Sequence, residues 1–296
     1  MTWVLVRKLL RDIRVAWLIA AVLLFLFQLL WSRITSRVTQ EILPAMQALG
    51  MQLPLLQAIL MGRDALGQLV QSIIGGESIA LDRPADMLSI AYVHPLVLTI
   101  LCIWALGRAA NAIAGEIDRG TLELLLAQPI RRTQVILAHL SVDAIVFPFL
   151  AAVMWTGTYF GTSWMGLQEL EMGRIDPTRF LPALLSVLGL LFSVSGVTMV
   201  MSALGRSRAR VWGGAMSLFL GMFLTNVLGQ MWPDQLGWLR PFTIFYHYQP
   251  QLIIKTADWY AHGNIWFHLG VLYGVGAAGY ALAWLGFCER DLPAPL

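Results

Sequence analysis

Residues 108–134 read RAANAIAGEIDRGTLELLLAQPIRRTQ, and they carry charge that no bilayer core would accept, yet they lie between two long apolar segments. Gly120 interrupts one helix, Thr121 to Ala127 has room for about two turns of another, and Pro129 discourages its continuation. Two turns span only about 10 Å, so this element belongs at a surface rather than across a membrane. Leu122, Leu125 and Leu126 share one face at i, i+3 and i+4 spacing, which turns Glu123 away.

The chain around this stretch is 58% hydrophobic and 12% charged, with a mean hydropathy of +0.69. Soluble domains carry about 25% charged residues, so this is the composition of a polytopic membrane protein. A pI near 9.1 reflects basic residues flanking membrane segments rather than a nucleic-acid surface. Cys102 and Cys288 both fall in apolar segments, so no disulfide framework is expected.

In residues 1–14, Trp3, Leu5, Val6, Leu9, Leu10 and Ile13 fall on one helical face, and Arg7, Lys8, Arg11, Asp12 and Arg14 on the other. This predicts an interfacial amphipathic helix on an anionic leaflet, not a cleavable signal peptide. Spans are expected at Val15–Trp31, Ile90–Leu106, Val135–Phe160, Phe180–Leu204, Val211–Leu228 and Ile265–Phe287. The second should continue as one stiff helix to Arg119, carrying the charged stretch into solvent. Residues 32–89 form an extracytoplasmic segment broken by Pro44 and Pro54, with short helices near the outer face. Residues 229–264 hold Trp232, Trp238, Phe242, Phe245, Tyr246 and Tyr248 between prolines, which suits short half-buried helices at the outer interface. Segments 1–14, 107–134, 205–210 and 288–296 together hold twelve of the 20 Lys and Arg in about half the length of the opposing loops. Both termini and the 108–134 stretch are therefore expected in the cytoplasm.

Several chemistries are excluded or disfavoured. Lys8 and Lys255 are the only lysines, and neither lies in a G-x-x-x-x-G-K-[ST] loop, so the chain lacks a P-loop ATPase. The five histidines form no H-E-x-x-H pair; His262 and His268, six apart, make a poor metal site. Met46, Met51 and Met61 have thioethers suited to Cu(I), but without clustered His or Cys they read as packing. No metal ligand set and no catalytic group is assigned, and Gly161-Thr162-Ser163-Trp164 reads as a loop after the third span. Asp143 is the one acid well inside a span, with His139 one turn before it. The two are expected to pair with each other near the cytoplasmic end, a place on a proton or substrate path being the alternative. Small residues invite close helix approach, Gly189, Gly196, Gly276 and Gly279 among them, and Gly270-x-x-x-Gly274 is a candidate protomer contact.

The run GEIDRGTLELLLAQPIRR resembles the signature E-x-x-x-G-T-L-E-x-L-L-x-x-P-x-x-R of ABC-2-type transporter permeases, and Phe287-Cys288-Glu289-Arg290-Asp291-Leu292 is similar to their F-x-x-R-D-L tail. The resemblance implies an all-α integral membrane subunit of the type V exporter kind, with six transmembrane helices in a single domain over 1–296. It implies an ATPase-coupling helix within 108–134, built from Gly115, Glu116, Arg119, Gly120, Thr121, Leu122, Glu123, Leu125, Leu126, Pro129, Arg131 and Arg132. Leu122, Leu125 and Leu126 would fill a groove on a separate ABC ATP-binding subunit. Glu116, Glu123, Arg131 and Arg132 would set its register. ATP and Mg2+ would be bound by that partner and no cofactor by this chain. Two such permease subunits would form the unit in the cytoplasmic membrane, among lipids. Transport, with export favoured, is the leading function. A scaffold transmitting force to an extracytoplasmic partner is the second, and an intramembrane enzyme the third.

Overall fold

The computed structural model describes residues 2–48, 83–168 and 175–290. In order, its helices are α1 (Thr2–Arg37), α2 (Leu43–Ala48), α3 (Pro84–Val93), α4 (Pro95–Ala112), α5 (Ala114–Asp118) and α6 (Leu122–Leu126). They continue with α7 (Arg132–Trp164), α8 (Leu184–Leu204), α9 (Arg208–Met231), α10 (Pro233–Leu236), α11 (Ile244–His247), α12 (Pro250–Lys255) and α13 (Gly263–Glu289). A π-helical turn, Val38–Ile42, joins α1 to α2. All regular structure among the described residues is helical. Among the described residues six stretches are long and apolar enough to cross a bilayer: Trp3–Ala45, Pro84–Ala112, Arg132–Trp164, Pro177–Leu204, Arg208–Met231 and Gly263–Glu289.

The spans agree with hydropathy, but the boundaries differ in instructive ways. No break separates the amphipathic residues 1–14 from the first span. α1 is one helix of 36 residues, about 54 Å long at 1.5 Å per residue. Leu5 and Val6 are buried in the main core, so its apolar face packs partly on protein, although Trp3 stays exposed. The expected single helix from Ile90 to Arg119 is broken twice. Pro95 holds His94 in an extended conformation, with ψ 134°, because its ring disfavours a helical preceding residue. Ile113, at φ −121°, separates α4 from α5. Gly161 to Trp164 belong to α7 rather than to a loop. The 32–89 segment is helical at both ends; its middle, including Met51, Pro54, Leu55–Ile74 and Met61, lies outside the described residues, as does the Met46 side chain.

α8 is central. It packs most extensively on α13, then on α4, while α1 lies along α7. Where α8 crosses α13, a Cβ on Gly279 would fall 2.4 Å from the carbonyl carbon of Gly196, so only glycine permits this approach. Gly270 and Gly274 face open space instead, so they take no part in this internal contact. α1 meets α7 through Gly157 and Gly161, whose positions would clash with Gln28 and Ser32 if they bore side chains. The chain's alternation places residues 113–131, 205–207 and 288–290 at one end, which is rich in arginine. Residues 165–168, 175–183 and 232–262 lie at the other.

Candidate functional site

At the arginine-rich end, the chain from Ile113 to Arg131 makes two short helices and a turn. The break at Ile113 leaves backbone N–H groups at the start of α5 without helical partners. Ser202 of α8 supplies one: its Oγ accepts from Ile113 N–H at 3.1 Å and Ala114 N–H at 3.0 Å, and donates to Ala110 O at 3.2 Å. Gly120 then takes φ 68°, a left-handed conformation that costs glycine nothing. The Glu116 carboxylate clasps this turn, accepting from Arg119 at 2.5 Å and from Thr121 Oγ1 at 2.5 Å. Thr121 N–H also donates to Glu116 O at 2.9 Å. The spacing of Glu, Gly and Thr in this stretch thus has a local cause. The acid closes over a turn that only glycine makes easily.

The leucine face points the other way from expectation. Leu122, 3% exposed, is buried with Ile113, Val135, Ile136, Tyr280 and Phe287 of its own bundle, and Leu125 and Leu126 pack against the same cluster. These three residues therefore anchor α6, which has five residues and not the two turns expected. The outward side consists of Asp118, Arg119, Glu123, Leu124, Gln128, Pro129 and Arg131, and Leu124 is 70% exposed. Leu124 lay inside the motif but not on the expected apolar face.

Two arginines of the flanking motifs also turn inward. Arg132 donates to the carbonyls of Phe287 and Arg290 at 3.0 and 2.6 Å, satisfying the C-terminal end of α13. Arg290 donates to Ala203 and Gly205 carbonyls, each at 2.8 Å, and does the same for α8. Phe287, fully buried, fixes the tail between them. Arg132 is thus a structural clamp, while Arg131 remains exposed.

Beneath this segment lies a buried polar cluster from four helices. Arg108 of α4 forms a salt bridge with Asp143 of α7, their side chains 5% and 1% exposed. The same Asp143 oxygen accepts from Ser195 Oγ of α8 at 2.8 Å and from the Tyr280 hydroxyl of α13. Ser195 and Tyr280 hydroxyls lie 3.0 Å apart. Arg108 also meets His139 Nδ1 at 3.2 Å. The expected mutual pairing of His139 and Asp143 is therefore replaced: each turns to Arg108. Burial explains this, because a carboxylate in hydrocarbon needs an opposite charge, which a neutral imidazole does not supply. The pattern held one clue to Arg108. It lies four residues after Trp104 and seven after Leu101, both buried on the inner face of α4. Ser195 and Tyr280 gave no such signal.

At the opposite end the aromatic segment folds back among the spans. Pro95 has no N–H and displaces the α3 carbonyls from their usual partners; the Tyr248 hydroxyl donates to one of them, Tyr92 O, at 2.6 Å. Gln251 donates to Ser89 at 3.1 Å. His268 meets His247, Nδ1 to Nδ1 at 3.0 Å, rather than His262. Among the described residues no group of three or more His, Cys, Asp or Glu is placed to hold a metal.

A family model described as ABC-2 family transporter protein matches residues 3–292. No curated protein matches the chain.

Proposed function

The chain belongs to the ABC-2 transporter family, and on that premise we propose that residues 113–131 are the surface through which a separate ATP-binding subunit drives the membrane helices. The family is that of membrane-spanning permease subunits of ABC transporters, multi-pass in the membrane and distinct from the ATPase. In this reading the arginine-rich end faces the cytoplasm, two permease subunits join two ATPases, and the substrate is exported. ATP and Mg2+ belong to the partner.

The observation that carries the proposal is Leu124. A leucine 70% exposed on a helix fixed by its neighbours Leu122 and Leu125 is an apolar group held out to solvent, of the kind that the core of an interface buries. Glu123, Arg119 and Arg131 are exposed in the same segment and would fix register by charge contacts. Closure of the ATPases would push α6, and through α5 would load the joint at Ile113 and Ser202. From there α4 carries the motion five residues back to Arg108 and its cluster.

The test is affinity purification of the tagged chain from its native membrane. An ATP-binding protein with Walker motifs is expected at near-equal stoichiometry, and Leu124→Asp or Glu123→Arg should abolish its retention with the spans still folded. Leu125→Asp is a poorer test, since it also disturbs the bundle. Wild-type copurification and ATPase stimulation in both exposed-site variants would overturn the assignment. A second reading, in which the chain passes force to an extracytoplasmic protein, draws on Trp238 and Phe242, 67% and 75% exposed at the opposite end. An outer-face protein retained in the same complex would favour it.

A further inference from the structure

α1 and α4 part over much of their length, leaving a cleft of about 710 Å3, within the roughly 300–1,000 Å3 of small-molecule sites. Its α1 wall is a single face running from Leu9 through Ile13, Ala16 and Ala20 to Leu23, about 21 Å at 1.5 Å per residue. Ile100, Ile103 and Trp104 of α4 stand opposite. Ile19, Leu23 and Ile103 are 55%, 48% and 42% exposed, so the cleft opens sideways at an apolar depth. Toward the arginine-rich end the lining turns polar: Asp12, Arg108, Asn111, Glu116, Arg119 and Arg208.

That gradient selects its occupant. A soluble anion would leave the apolar half unfilled, and an uncharged apolar molecule would leave Arg208 without a partner. Arg108 is already neutralised by Asp143 and Arg119 by Glu116. Arg208 has no ion-pair partner among the described residues, and its only opposing charge in the lining is that of Asp12 and the clasped Glu116. Guanidinium groups match phosphate oxygens in planar, two-pronged pairs. Basic pockets between membrane helices take anionic lipid head groups.

We propose that this cleft binds one anionic phospholipid, its phosphate at Arg208 and Arg119 and an acyl chain along Ile13, Ala16, Ala20 and Ile103. Because Glu116 and Arg119 line the cleft and also clasp the Gly120 turn, the phosphate competes with Glu116 for Arg119. Lipid occupancy thereby loosens the clasp of the 113–131 segment. The site stands whether or not that segment receives an ATPase.

Native mass spectrometry of the purified full chain, without any ATPase, tests the site with phosphatidylglycerol and phosphatidylcholine. Wild type should retain phosphatidylglycerol at least tenfold better. Arg208→Gln should bring phosphatidylglycerol down to the phosphatidylcholine level, and Ala16→Trp, which fills the cleft from an exposed position, should remove both. An unchanged thermal transition establishes that each variant is folded. Equal retention of the two lipids by wild type, or undiminished phosphatidylglycerol in both folded variants, overturns the proposal. Excess inorganic phosphate should leave the lipid bound; if it displaces the lipid, the site is one for free anions and the proposal falls.

Discussion

At the arginine-rich end, the Gly120 turn between α4 and α7 is clasped by charged groups that water reaches, although its flanks are held by buried Leu122 and Ser202, whereas at the opposite end the segment between α9 and α13 is tied mainly by neutral groups that water does not reach. The Arg119 and Glu116 side chains are 51% and 23% exposed, and such an exposed ion pair is worth about 0–1 kcal/mol. Tyr248, Ile244, Ile253 and Ile254 of the other segment are buried, and its hydrogen bonds run into α3. Charged groups also take part, Lys255 meeting Asp86 at 3.4 Å and Arg240 meeting Asn226 at 3.2 Å. An orphaned buried polar group costs about 1–3 kcal/mol, so this segment resists detachment. The contrast teaches that the two ends are built for different work. The Glu116 clasp can exchange partners cheaply, because water replaces a charged contact that is lost there, while the second segment must follow α3 wherever it goes.

The strongest way to strain this picture is at the cluster beneath the first end. Arg108→Met leaves the buried Asp143 without its partner, and removing one member of a buried pair costs about 3–5 kcal/mol. Unfolding followed in detergent should show that loss, and Arg108→Met combined with Asp143→Leu should recover most of it. If the single variant is as stable as wild type, the cluster does not hold the four helices. Tyr248→Phe comes next. It leaves Tyr92 O unpaired beside the Pro95 break and should cost about 1–3 kcal/mol by the same measurement. Smallest of the three is Glu116→Ala, expected within about 1 kcal/mol of wild type. Its effect should show instead as faster hydrogen exchange confined to amides of residues 114–128. Should Glu116→Ala destabilise the protein more than Tyr248→Phe, the contrast between the two ends would be reversed.

Much of this was legible in the residues. The six spans follow from hydropathy because the bilayer demands about 20 apolar residues per helix, and each was found within a few residues of expectation apart from the extensions of α1 and α3. The turn at Gly120 is a local steric fact that the residues announced; the break at Pro95 is equally local, yet the expected helix from Ile90 to Arg119 runs unbroken across it. The clamps of Arg132 and Arg290 were less visible, since the carbonyls they satisfy lie 155 to 158 and 85 to 87 residues away in the chain.

The sequence by itself determined that this is an all-helical membrane protein and where its charged surface element lies, because hydrophobicity and backbone restriction act residue by residue against a fixed solvent. Only the tertiary structure decided that Leu122 faces the bundle and Leu124 faces outward, and that Asp143 belongs to Arg108, Ser195 and Tyr280, which lie 35, 52 and 137 residues from it. Periodicity defines a face on a helix, but which neighbour covers that face is settled by how helices cross. Here the crossing is set by the glycine contact of α8 with α13 and by the need to bury one carboxylate with its arginine.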